Sequence, residues 1–255
     1  MPGFDANYPN AARVYDYLAG GRDNFATDRK LAQQLLDLAP HARVMVQENR
    51  TFLTTAVRWV AAQGVPQFID VGSGLPTAPA IHEAAKAANP DASVAYVDND
   101  PVVVNHLVAV ASKDPVVTIL GGDLRDAEGI LAVSPAGPGA PTCLVVGWVL
   151  HFFPPDFAAE LVRRYVAALA SGSYLVVSIG MLAGETGDRI MRLYSQGSTP
   201  VYRYTEDQVA ACFGGLDLVE PGLVDARVWA PGVTTPGTPA ARPGGSVLAA
   251  VARKP

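Results

Sequence analysis

The chain has 255 residues, of which 49% are hydrophobic, and its 24 acidic and 19 basic residues give a formal net charge of −5 at pH 7. This length suits one well-buried core, so we expect a single compact unit. The apolar residues come in short runs, far below the roughly 18 consecutive positions that a membrane span requires. The mild acidity, without a basic cluster, argues against nucleic acid as a partner.

The N-terminus and the cysteines exclude further classes of protein. The opening residues MPGFDANYPN lack the basic and apolar regions of a secretory signal, so we expect a soluble, cytoplasmic protein with no membrane partner. Cys143 and Cys212 form neither a C-x-x-C pair nor a metal-ligand spacing with histidine. We therefore expect two buried thiols, no metal site and no disulfide.

The chain divides into two regions of different pattern. Residues 1–64 have apolar positions at helical spacing in AARVYDYLAG, LAQQLLDLA and NRTFLTTAVRWVAAQG, which predicts a helical cap or lid. In residues 65–255, Val- and Ile-rich runs alternate with helix-period segments, which is typical of a parallel sheet with crossover helices. We expect an α/β fold in which the two regions form one compact unit.

Five parallel strands are predicted in the first part of the sheet region. They lie at 67–72, 93–98, 116–123, 142–148 and 173–180. Helices are predicted between them. One of these helices is capped by Asp100, with Pro101 at its first position, and a later helix is capped by Thr205.

The C-terminal region predicts shorter elements. Short strand pieces are expected within 216–222 and 226–230. A proline- and glycine-rich loop at 230–245 is too poor in apolar residues to fold on itself. A final strand is expected at 246–254.

The turn after the first strand has the sequence DVGSGLPT at 70–77. Gly72 and Gly74 allow the backbone to turn sharply and approach a ligand, because neither places a Cβ in its way. Ligands of open α/β sheets bind outside the carboxyl ends of the strands, so this turn is a candidate site, with a ligand-free turn as the alternative. Thr77 stands where a phosphate-binding turn has its third glycine, which disfavours a dinucleotide.

Acidic residues end three successive strands, namely Asp70, Asp98 and Asp123. A carboxylate only accepts hydrogen bonds, so Asp98 suits two ribose hydroxyls and Asp123 suits the exocyclic amine of adenine. Asp70 suits the glycine loop or the ammonium of methionine. The ligand that combines a ribose, an adenine and a methionine ammonium is S-adenosylmethionine. It has no phosphate and carries a positively charged sulfonium, so a site lined by carboxylates favours its binding. For any one of these residues, a solvated loop acid or a helix cap is the alternative.

These motifs resemble those of class I S-adenosylmethionine-dependent methyltransferases, whose first three motifs correspond to the glycine turn, YVDNDP and GGDLRD. More narrowly, NAARVYDYLAGGRDNFATDR, WVLHFFPPD and LVEPGLV resemble an actinobacterial family of such methyltransferases formerly catalogued as a domain of unknown function. The resemblance covers nearly the whole chain. It implies a Rossmann-like fold, with a seven-stranded, mostly parallel sheet and an antiparallel last strand, and S-adenosylmethionine as the cofactor.

The predicted cofactor site combines the glycine turn, the strand ends and the polar segment after the first helix. Its residues are Tyr17, Arg22, Asn24, Asp70, Gly72, Ser73, Gly74, Asp98, Asn99, Asp123, Leu124 and Gly147. We interpret the polar segment as a lid, in which Tyr17, Arg22 or Asn24 contacts the methionine moiety and excludes water. A helix C-cap at Gly20 and Gly21, followed by a docking loop, is the alternative.

His151 follows the fourth strand and is the candidate general base. Methyl transfer from a sulfonium is an in-line displacement, so positioning the acceptor supplies much of the rate, and only some acceptors need a base. A packed core histidine is the alternative. An apolar acceptor pocket is a further hypothesis, with a core role as the alternative for its residues. They are Trp148, Met181, Met191, Tyr194 and Tyr202.

The function predicted from these observations is methyl transfer from S-adenosylmethionine to a small molecule, in specialised metabolism. Two alternatives stay open at this point. One is an NAD(P)-dependent oxidoreductase on the same sheet, and the other is a non-catalytic cofactor-binding protein. The apolar composition is compatible with a homodimer.

Overall fold

The structure is a computed structural model that describes residues 6–133, 139–195, 199–234, 237, 239–240, 242 and 245–255. Its helices are α1 (Ala11–Ala19), α2 (Ala26–Leu38), α3 (Ala42–Ala62), α4 (Ile81–Lys86), α5 (Pro101–Ala111), α6 (Ala127–Val133), α7 (Pro155–Ala168), α8 (Gly184–Ser195) and α9 (Glu206–Ala210). Its strands are β1 (Gln67–Val71), β2 (Ser93–Asp98), β3 (Val117–Gly121), β4 (Thr142–Gly147), β5 (Tyr174–Leu182), β6 (Asp217–Leu218), β7 (Val224–Asp225) and β8 (Gly245–Arg253). The loop predicted at 230–245 lies partly outside the described residues.

The strands form one sheet in the order β3-β2-β1-β4-β5-β8-β6, and β7 also pairs with β8. β1 to β5 run parallel to one another, whereas β8 runs antiparallel to β5, β6 and β7. The predicted α/β fold with five parallel strands and an antiparallel last strand is confirmed. Within the described residues the sheet has eight strands rather than seven, because two short pieces, β6 and β7, pair with β8 separately. The strand order reverses between β1 and β4, which makes their carboxyl ends the switch point of the sheet.

The strand piece predicted within 226–230 is wrong. β7 ends at Asp225, and residues 226–228 form a turn. The turn forms because the Asp225 carboxylate accepts a hydrogen bond from the backbone N–H of Arg227 at 3.0 Å, an interaction that competes with strand pairing. Trp229 then enters the core beside Phe52, with their ring centroids 5.1 Å apart. The apolar residues of this segment therefore belong to a buried turn.

The central strands are buried on both faces, so successive side chains contact opposite helical layers. Phe68 packs in the apolar cluster that includes α3, α4 and α5, whereas its neighbour Ile69 packs in the cluster that includes α6, α7 and α9. In α3, Phe52, Val57 and Val60 are almost completely buried against the sheet. The helix α3 is thus part of one layer of the core.

The helices α1 and α2 pack together beside α8 and the N-terminal end of α3. A third apolar cluster joins Val14 and Leu18 of α1, Ala32 and Leu35 of α2, and Ile190 of α8. α1 also lines a cavity together with residues at the carboxyl ends of β1, β2 and β4. The cluster therefore holds α1 over the edge of the sheet at which ligands of this architecture bind.

The loop between α1 and α2 is organised by the Asp16 carboxylate. It accepts hydrogen bonds from the backbone N–H of Asp23 at 2.9 Å and from the side-chain amide of Asn24 at 2.7 Å. α1 ends at Ala19, and its C-cap residue Gly20 has a φ of 90°, in the left-handed region. A Cβ at Gly21 would overlap the Asp16 carboxylate, so only glycine fits there. This arrangement is the helix C-cap with a docked loop that formed the alternative to a lid.

Both cysteines are buried free thiols, as predicted. Burial raises the pKa of Cys212 to about 11 and raises that of Cys143 well above its ordinary value. Neither thiol is therefore ionised at neutral pH. In the part of the chain that the structure describes, no helix is long and apolar enough to cross a membrane.

Candidate active site

A cavity of about 240 Å³ lies where α1 covers the carboxyl ends of β1, β2 and β4. Most of the residues predicted for the cofactor site line this cavity. They are Asp70, Gly72, Ser73, Gly74, Asp98, Asn99, Leu124 and Gly147. The structure thus brings the glycine turn and two of the three strand-end acids together in one crevice. Their contact with a cofactor stays a prediction.

The glycine turn has two residues in the left-handed region, Gly72 with φ 68° and Gly74 with φ 67°. A Cβ at position 72 would lie 2.8 Å from Cγ2 of Val149, so the turn packs directly against the segment after β4. A Cβ at position 74 would meet no atom within 4 Å, and Gly74 lines the cavity. Glycine is therefore needed at 72 for packing, and at 74 it leaves open space that a ligand can fill.

Asp98 ends β2 and connects the glycine turn to the start of α5. Its Oδ2 accepts the backbone N–H of Gly74 at 2.9 Å, and its Oδ1 accepts the backbone N–H of Asp100 at 3.0 Å. Burial raises the pKa of the Asp98 carboxyl, and these hydrogen bonds oppose the shift. The backbone N–H of Asn99 also interacts with this carboxylate. A carboxylate has about four acceptor sites, so Asp98 retains capacity to accept a hydrogen bond from a ligand.

The Asp70 side chain lines the same cavity, and the pKa of its carboxyl group lies near neutral pH. Burial raises its pKa to about 7, the Arg50 guanidinium opposes this shift, and the Asp98 carboxylate adds to it. Among the described residues, no group donates a hydrogen bond to the Asp70 carboxylate. A buried carboxylate without a hydrogen-bond donor favours the binding of a cationic ligand group, because the cation would stabilise its ionised form.

Two further polar atoms of the cavity lining are buried and have no hydrogen-bond partner in the described structure, the Ser73 hydroxyl and Nε of Arg50. The Nη2 atom of Arg50 donates to the carbonyl oxygens of Thr77 at 2.9 Å and Pro79 at 2.6 Å, which fixes the guanidinium beside the glycine turn. Buried polar atoms without a partner are uncommon and costly. Both fit a ligand with an acceptor group such as a carboxylate.

A hydrogen-bonded network supports the aromatic side of the cavity. Ser178 Oγ donates to Asn49 Oδ1 at 2.5 Å, and Asn49 Nδ2 donates to the Tyr15 hydroxyl at 2.8 Å. The backbone N–H of Trp148 donates to Ser178 Oγ at 3.2 Å. The Tyr15 and Trp148 rings meet edge-on, with centroids 5.9 Å apart. The network therefore fixes two aromatic rings in the cavity wall.

Trp148 has a strained backbone. Its φ of 57° is positive, which the other non-glycine residues in the described ranges avoid. Such conformations cost about 1–3 kcal/mol and persist where the surrounding structure enforces them, often at functional sites. The backbone N–H of Trp148 is held by both the carbonyl and the hydroxyl of Ser178.

His151 lies behind this wall and outside the cavity lining. Its ring packs against Trp148 and Phe152, with centroid distances of 6.0 Å and 4.3 Å. Burial lowers the pKa of His151 to about 4, so the ring is neutral at neutral pH. Its Nδ1 atom has no hydrogen-bond partner within the described structure. The histidine is packed as in the alternative interpretation, and its role as a base stays a prediction.

The predicted lid residues Tyr17, Arg22 and Asn24 are not among the residues that line the cavity. Arg22 is exposed, and Asn24 is bonded to Asp16. The Tyr17 ring lies 4.8 Å from the guanidinium carbon of Arg43. Tyr17 follows Tyr15 by two positions, which places their side chains on nearly opposite faces of α1.

Asp123 also lies outside the cavity lining, although the equivalent acids of β1 and β2 lie within it. Its carboxylate is paired with Arg125, whose Nε donates to Oδ1 at 2.9 Å. Gly147 lines the cavity, but a Cβ there would lie 2.7 Å from Cδ1 of Leu53. The close approach of α3 to β4 therefore explains this glycine without a ligand.

The predicted acceptor pocket is formed in part. Trp148 and Tyr194 line the cavity, together with Phe152 and Phe153, which the sequence did not point to. The other predicted pocket residues pack against the apolar clusters of the core. They are Met181, Met191 and Tyr202.

The polar residues of the cavity that were not predicted include Tyr15, Asn49 and Arg50. Tyr15 lies four residues after Ala11 and three before Leu18, which also line the cavity, so the helical period of α1 carried this signal. Asn49 is 1% exposed within a helix whose other buried residues are apolar, apart from Thr54. A buried polar residue in such a helix needs a partner, and that requirement points to a network or a site.

The strand order and the placement of the glycine turn and acids at the ends of β1 and β2 define a class I methyltransferase fold. Magnesium protoporphyrin IX methyltransferase from Synechocystis PCC 6803, solved with bound S-adenosylhomocysteine, shares this fold with a TM-score of 0.54 at 15% identity. The alignment covers 96% of this chain and 100% of that chain. At this identity the likeness concerns the fold alone.

The sequence profile of the S-adenosyl methyltransferase family matches residues 2–255, and the chain belongs to this family. A candidate methyltransferase from Thermobifida fusca YX is 35% identical with a TM-score of 0.89, covering 99% of this chain and 97% of that chain. A DUF574 family protein from Streptomyces avermitilis MA-4680 is 33% identical with a TM-score of 0.90, covering 98% and 99%. No protein with a curated description shows significant similarity.

Family membership confirms the predicted class of enzyme and its cofactor. The chain is a methyltransferase that uses S-adenosylmethionine. Solved structures that share its fold were obtained with S-adenosylhomocysteine bound. The oxidoreductase alternative has no support from these comparisons.

Proposed function

We propose that the chain transfers the methyl group to a small, largely apolar molecule that binds at the aromatic side of the cavity. The observation that carries this proposal is that aromatic side chains line the same cavity as the glycine turn. They are Tyr15, Trp148, Phe152, Phe153 and Tyr194. The resemblance to an actinobacterial family supports an acceptor from specialised metabolism.

The charge of the lining supports a neutral acceptor. Within the described lining Arg50 is the one cation, and it lies beside the carboxyl group of Asp70. A nucleic acid or a polyphosphate needs several cations to neutralise its phosphates. The described lining of this cavity has too few cations to bind such a ligand, whereas its aromatic walls favour planar or aliphatic groups.

The other side of the cavity fits the cofactor. S-adenosylmethionine supplies a methyl group on a positively charged sulfur. We infer that Asp98 accepts hydrogen bonds from the ribose hydroxyls and that Asp70 faces the methionine ammonium. Arg50 and Ser73 would hold the methionine carboxylate through the polar atoms that have no partner in the described structure. The open space at Gly74 supports this placement.

The chain contributes to the reaction mainly by alignment. The wall of Tyr15 and Trp148, fixed by Asn49 and Ser178, would orient the acceptor, and alignment at about 3 to 3.5 Å supplies much of the rate of a displacement. Burial raises the pKa of Tyr15 to about 12, so its hydroxyl stays protonated and does not act as a base; it donates to the carbonyl oxygen of Val46 at 3.4 Å. A role for His151 as base requires that the acceptor or a water molecule reaches its Nδ1 behind Trp148.

Methyl-labelled S-adenosylmethionine tests this proposal. The purified protein is incubated with an extract separated into small-molecule, protein and nucleic-acid fractions, and the label is followed. We expect label in a small apolar product, and label in either polymer fraction contradicts the proposal.

A pair of tryptophan variants locates the acceptor side. Trp148→Leu should abolish most of the labelling. Trp59→Leu is the matched control, because Trp59 also forms an edge-on pair, with Tyr174 at 5.8 Å, but does not line the cavity. Equal losses in both variants contradict an acceptor site at Trp148.

A further inference from the structure

Arg13 is buried at the centre of an ion-pair network that joins α1 to the rest of the chain, with 3% of its side chain exposed. Its Nε donates to Asp28 Oδ2 at 2.8 Å, and its Nη1 donates to Asp100 Oδ2 at 3.4 Å. Its Nη2 donates to the carbonyl oxygen of Tyr8 at 2.8 Å. One guanidinium thus contacts α2, the start of α5 and the segment before α1.

The network continues from Asp100 to the glycine turn. Asp100 caps α5 by accepting the backbone N–H of Val102 at 2.8 Å on Oδ1, which leaves Oδ2 for Arg13. The backbone N–H of Asp100 donates to Asp98 Oδ1 at 3.0 Å, and Asp98 Oδ2 accepts the N–H of Gly74 at 2.9 Å. An unbroken chain of hydrogen bonds therefore runs from α1 to the turn that lines the cavity.

The charges along this series of hydrogen bonds make the ionisation and position of the Asp98 carboxylate depend on Arg13. Asp28, Asp98 and Asp100 are all buried, and Arg13 contacts two of them. Without the guanidinium, the Asp100 carboxylate would be buried without a counter-charge beside Asp98. Repulsion between neighbouring carboxylates would then favour a protonated or displaced Asp98.

We propose that Arg13 is the positioning residue for Asp98, and that by holding Asp100 it fixes the carboxylate that receives the ribose hydroxyls. The inference rests on the proposed function, in which Asp98 binds the ribose. α1 also carries Tyr15 and Leu18 into the cavity wall. Docking of α1 and recognition of the ribose are therefore coupled through Arg13.

Two nucleosides test this role with the full-length protein. Adenosine and 2′,3′-dideoxyadenosine each compete with S-adenosylmethionine for binding, and the ratio of their dissociation constants measures recognition of the hydroxyls. The wild-type protein should prefer adenosine by about tenfold or more, because hydrogen bonds to a charged group are strong. Arg13→Gln should lose most of this preference, and Arg13→Lys should regain part of it.

Arg43→Gln is the matched control. Arg43 also holds α1, because its Nη1 donates to the carbonyl oxygens of Tyr17 at 2.9 Å and Leu18 at 3.4 Å, but it does not contact Asp100. This variant should keep the preference for adenosine. If Arg13→Gln does not fold by circular dichroism, Arg13→Lys alone makes the test and should lose part of the preference for adenosine, because an ammonium keeps the charge beside Asp100 but cannot reproduce the three contacts of the guanidinium.

A failure of the positioning role of Arg13 can be distinguished from a failure of the ribose contact of Asp98. An equal loss of affinity for both nucleosides in Arg13→Gln, or an unchanged preference, overturns the positioning role. A wild-type protein that binds S-adenosylmethionine but does not distinguish the nucleosides contradicts the ribose contact of Asp98, and the inference falls with it. The proposed acceptor chemistry is tested separately by the labelling experiment.

Discussion

The Ser178 hydroxyl donates a 2.5 Å hydrogen bond to the side chain of Asn49, although the two residues are 129 positions apart in the chain. Replacing Ser178 by alanine would leave the buried carbonyl of Asn49 without its donor. We expect the free energy of unfolding to fall by about 1–3 kcal/mol. Because Asn49 fixes Tyr15, kcat for methyl transfer should fall by about tenfold or more while the affinity for S-adenosylmethionine is retained.

Ser173→Ala is the control for this prediction. Ser173 is 1% exposed, lies directly before β5, and its hydroxyl accepts the backbone N–H of Thr142 at 3.0 Å, far from the cavity. Denaturant unfolding should show a loss of stability similar to that of Ser178→Ala, with kcat unchanged. If both variants lower kcat to the same extent, the network acts through stability alone.

Gly74→Ala tests the open space of the glycine turn. The substitution places a Cβ in the cavity lining at a φ of 67°, so it adds backbone strain of about 1–2 kcal/mol and fills space that a ligand would use. We expect the dissociation constant of S-adenosylmethionine, measured by calorimetry, to rise by about tenfold or more.

Gly64→Ala is the control that separates the effect of backbone strain from the effect of filling the cavity. Gly64 has φ 85°, and a Cβ there would meet no atom within 4 Å, but it follows α3 outside the cavity lining. The two variants should lose similar stability, and only Gly74→Ala should bind the cofactor more weakly. Unchanged binding by Gly74→Ala would remove the glycine turn from the cofactor site.

The part of the site that could be predicted from the sequence is the part that local rules determine. Strands that run parallel bring their carboxyl ends to one edge, so Asp70 and Asp98 could be placed together before any contact was known. Gly74 could be identified because a strand-to-helix turn requires special backbone angles. Each of these inferences depends on a few neighbouring residues.

The rest of the site depends on contacts between distant segments. Asn49 meets Ser178 only once α3 has packed on the sheet, and no local pattern fixes that register. The same limit applies to Asp123, whose place at a strand end could be predicted but whose pairing with Arg125 could not. In the fold, the apolar run around Trp229 resembled a strand, and the side chain of Asp225 decided in favour of a turn.

His151 makes the stability of the protein depend on pH. Burial lowers its pKa from 6.5 to about 4, so between these values the unfolded chain binds a proton that the folded protein does not. The stabilisation from this group is therefore present above pH 6.5 and is lost as the pH falls towards 4. Urea unfolding at several pH values should show a smaller acid-induced loss in His151→Gln than in the wild type. His41→Gln, at an exposed position, should keep the wild-type slope.

Asp70 makes the free energy of unfolding depend on pH in the direction opposite to His151. The same titration should also affect cofactor binding. Burial raises its pKa from 3.8 to about 7, so in this range the folded protein holds a proton that the unfolded chain releases. Its contribution to stability is present below pH 3.8 and is lost as the pH rises through 7. Without a ligand, Asp70→Asn should therefore have a higher Tm than the wild type above neutral pH, and this difference should shrink in acid.

Binding of the cationic cofactor should reverse this balance, because it favours the ionised carboxylate of Asp70. The affinity of the wild type for S-adenosylmethionine should rise between about pH 6 and 8, with release of a proton that calorimetry in buffers of different ionisation enthalpy detects. Asp70→Asn should bind more weakly and with little pH dependence, whereas Asp91→Asn, at an exposed position, should behave as the wild type. Proton release of equal size from Asp70→Asn would show that another group titrates, and Asp70 would then not face the cationic end of the cofactor.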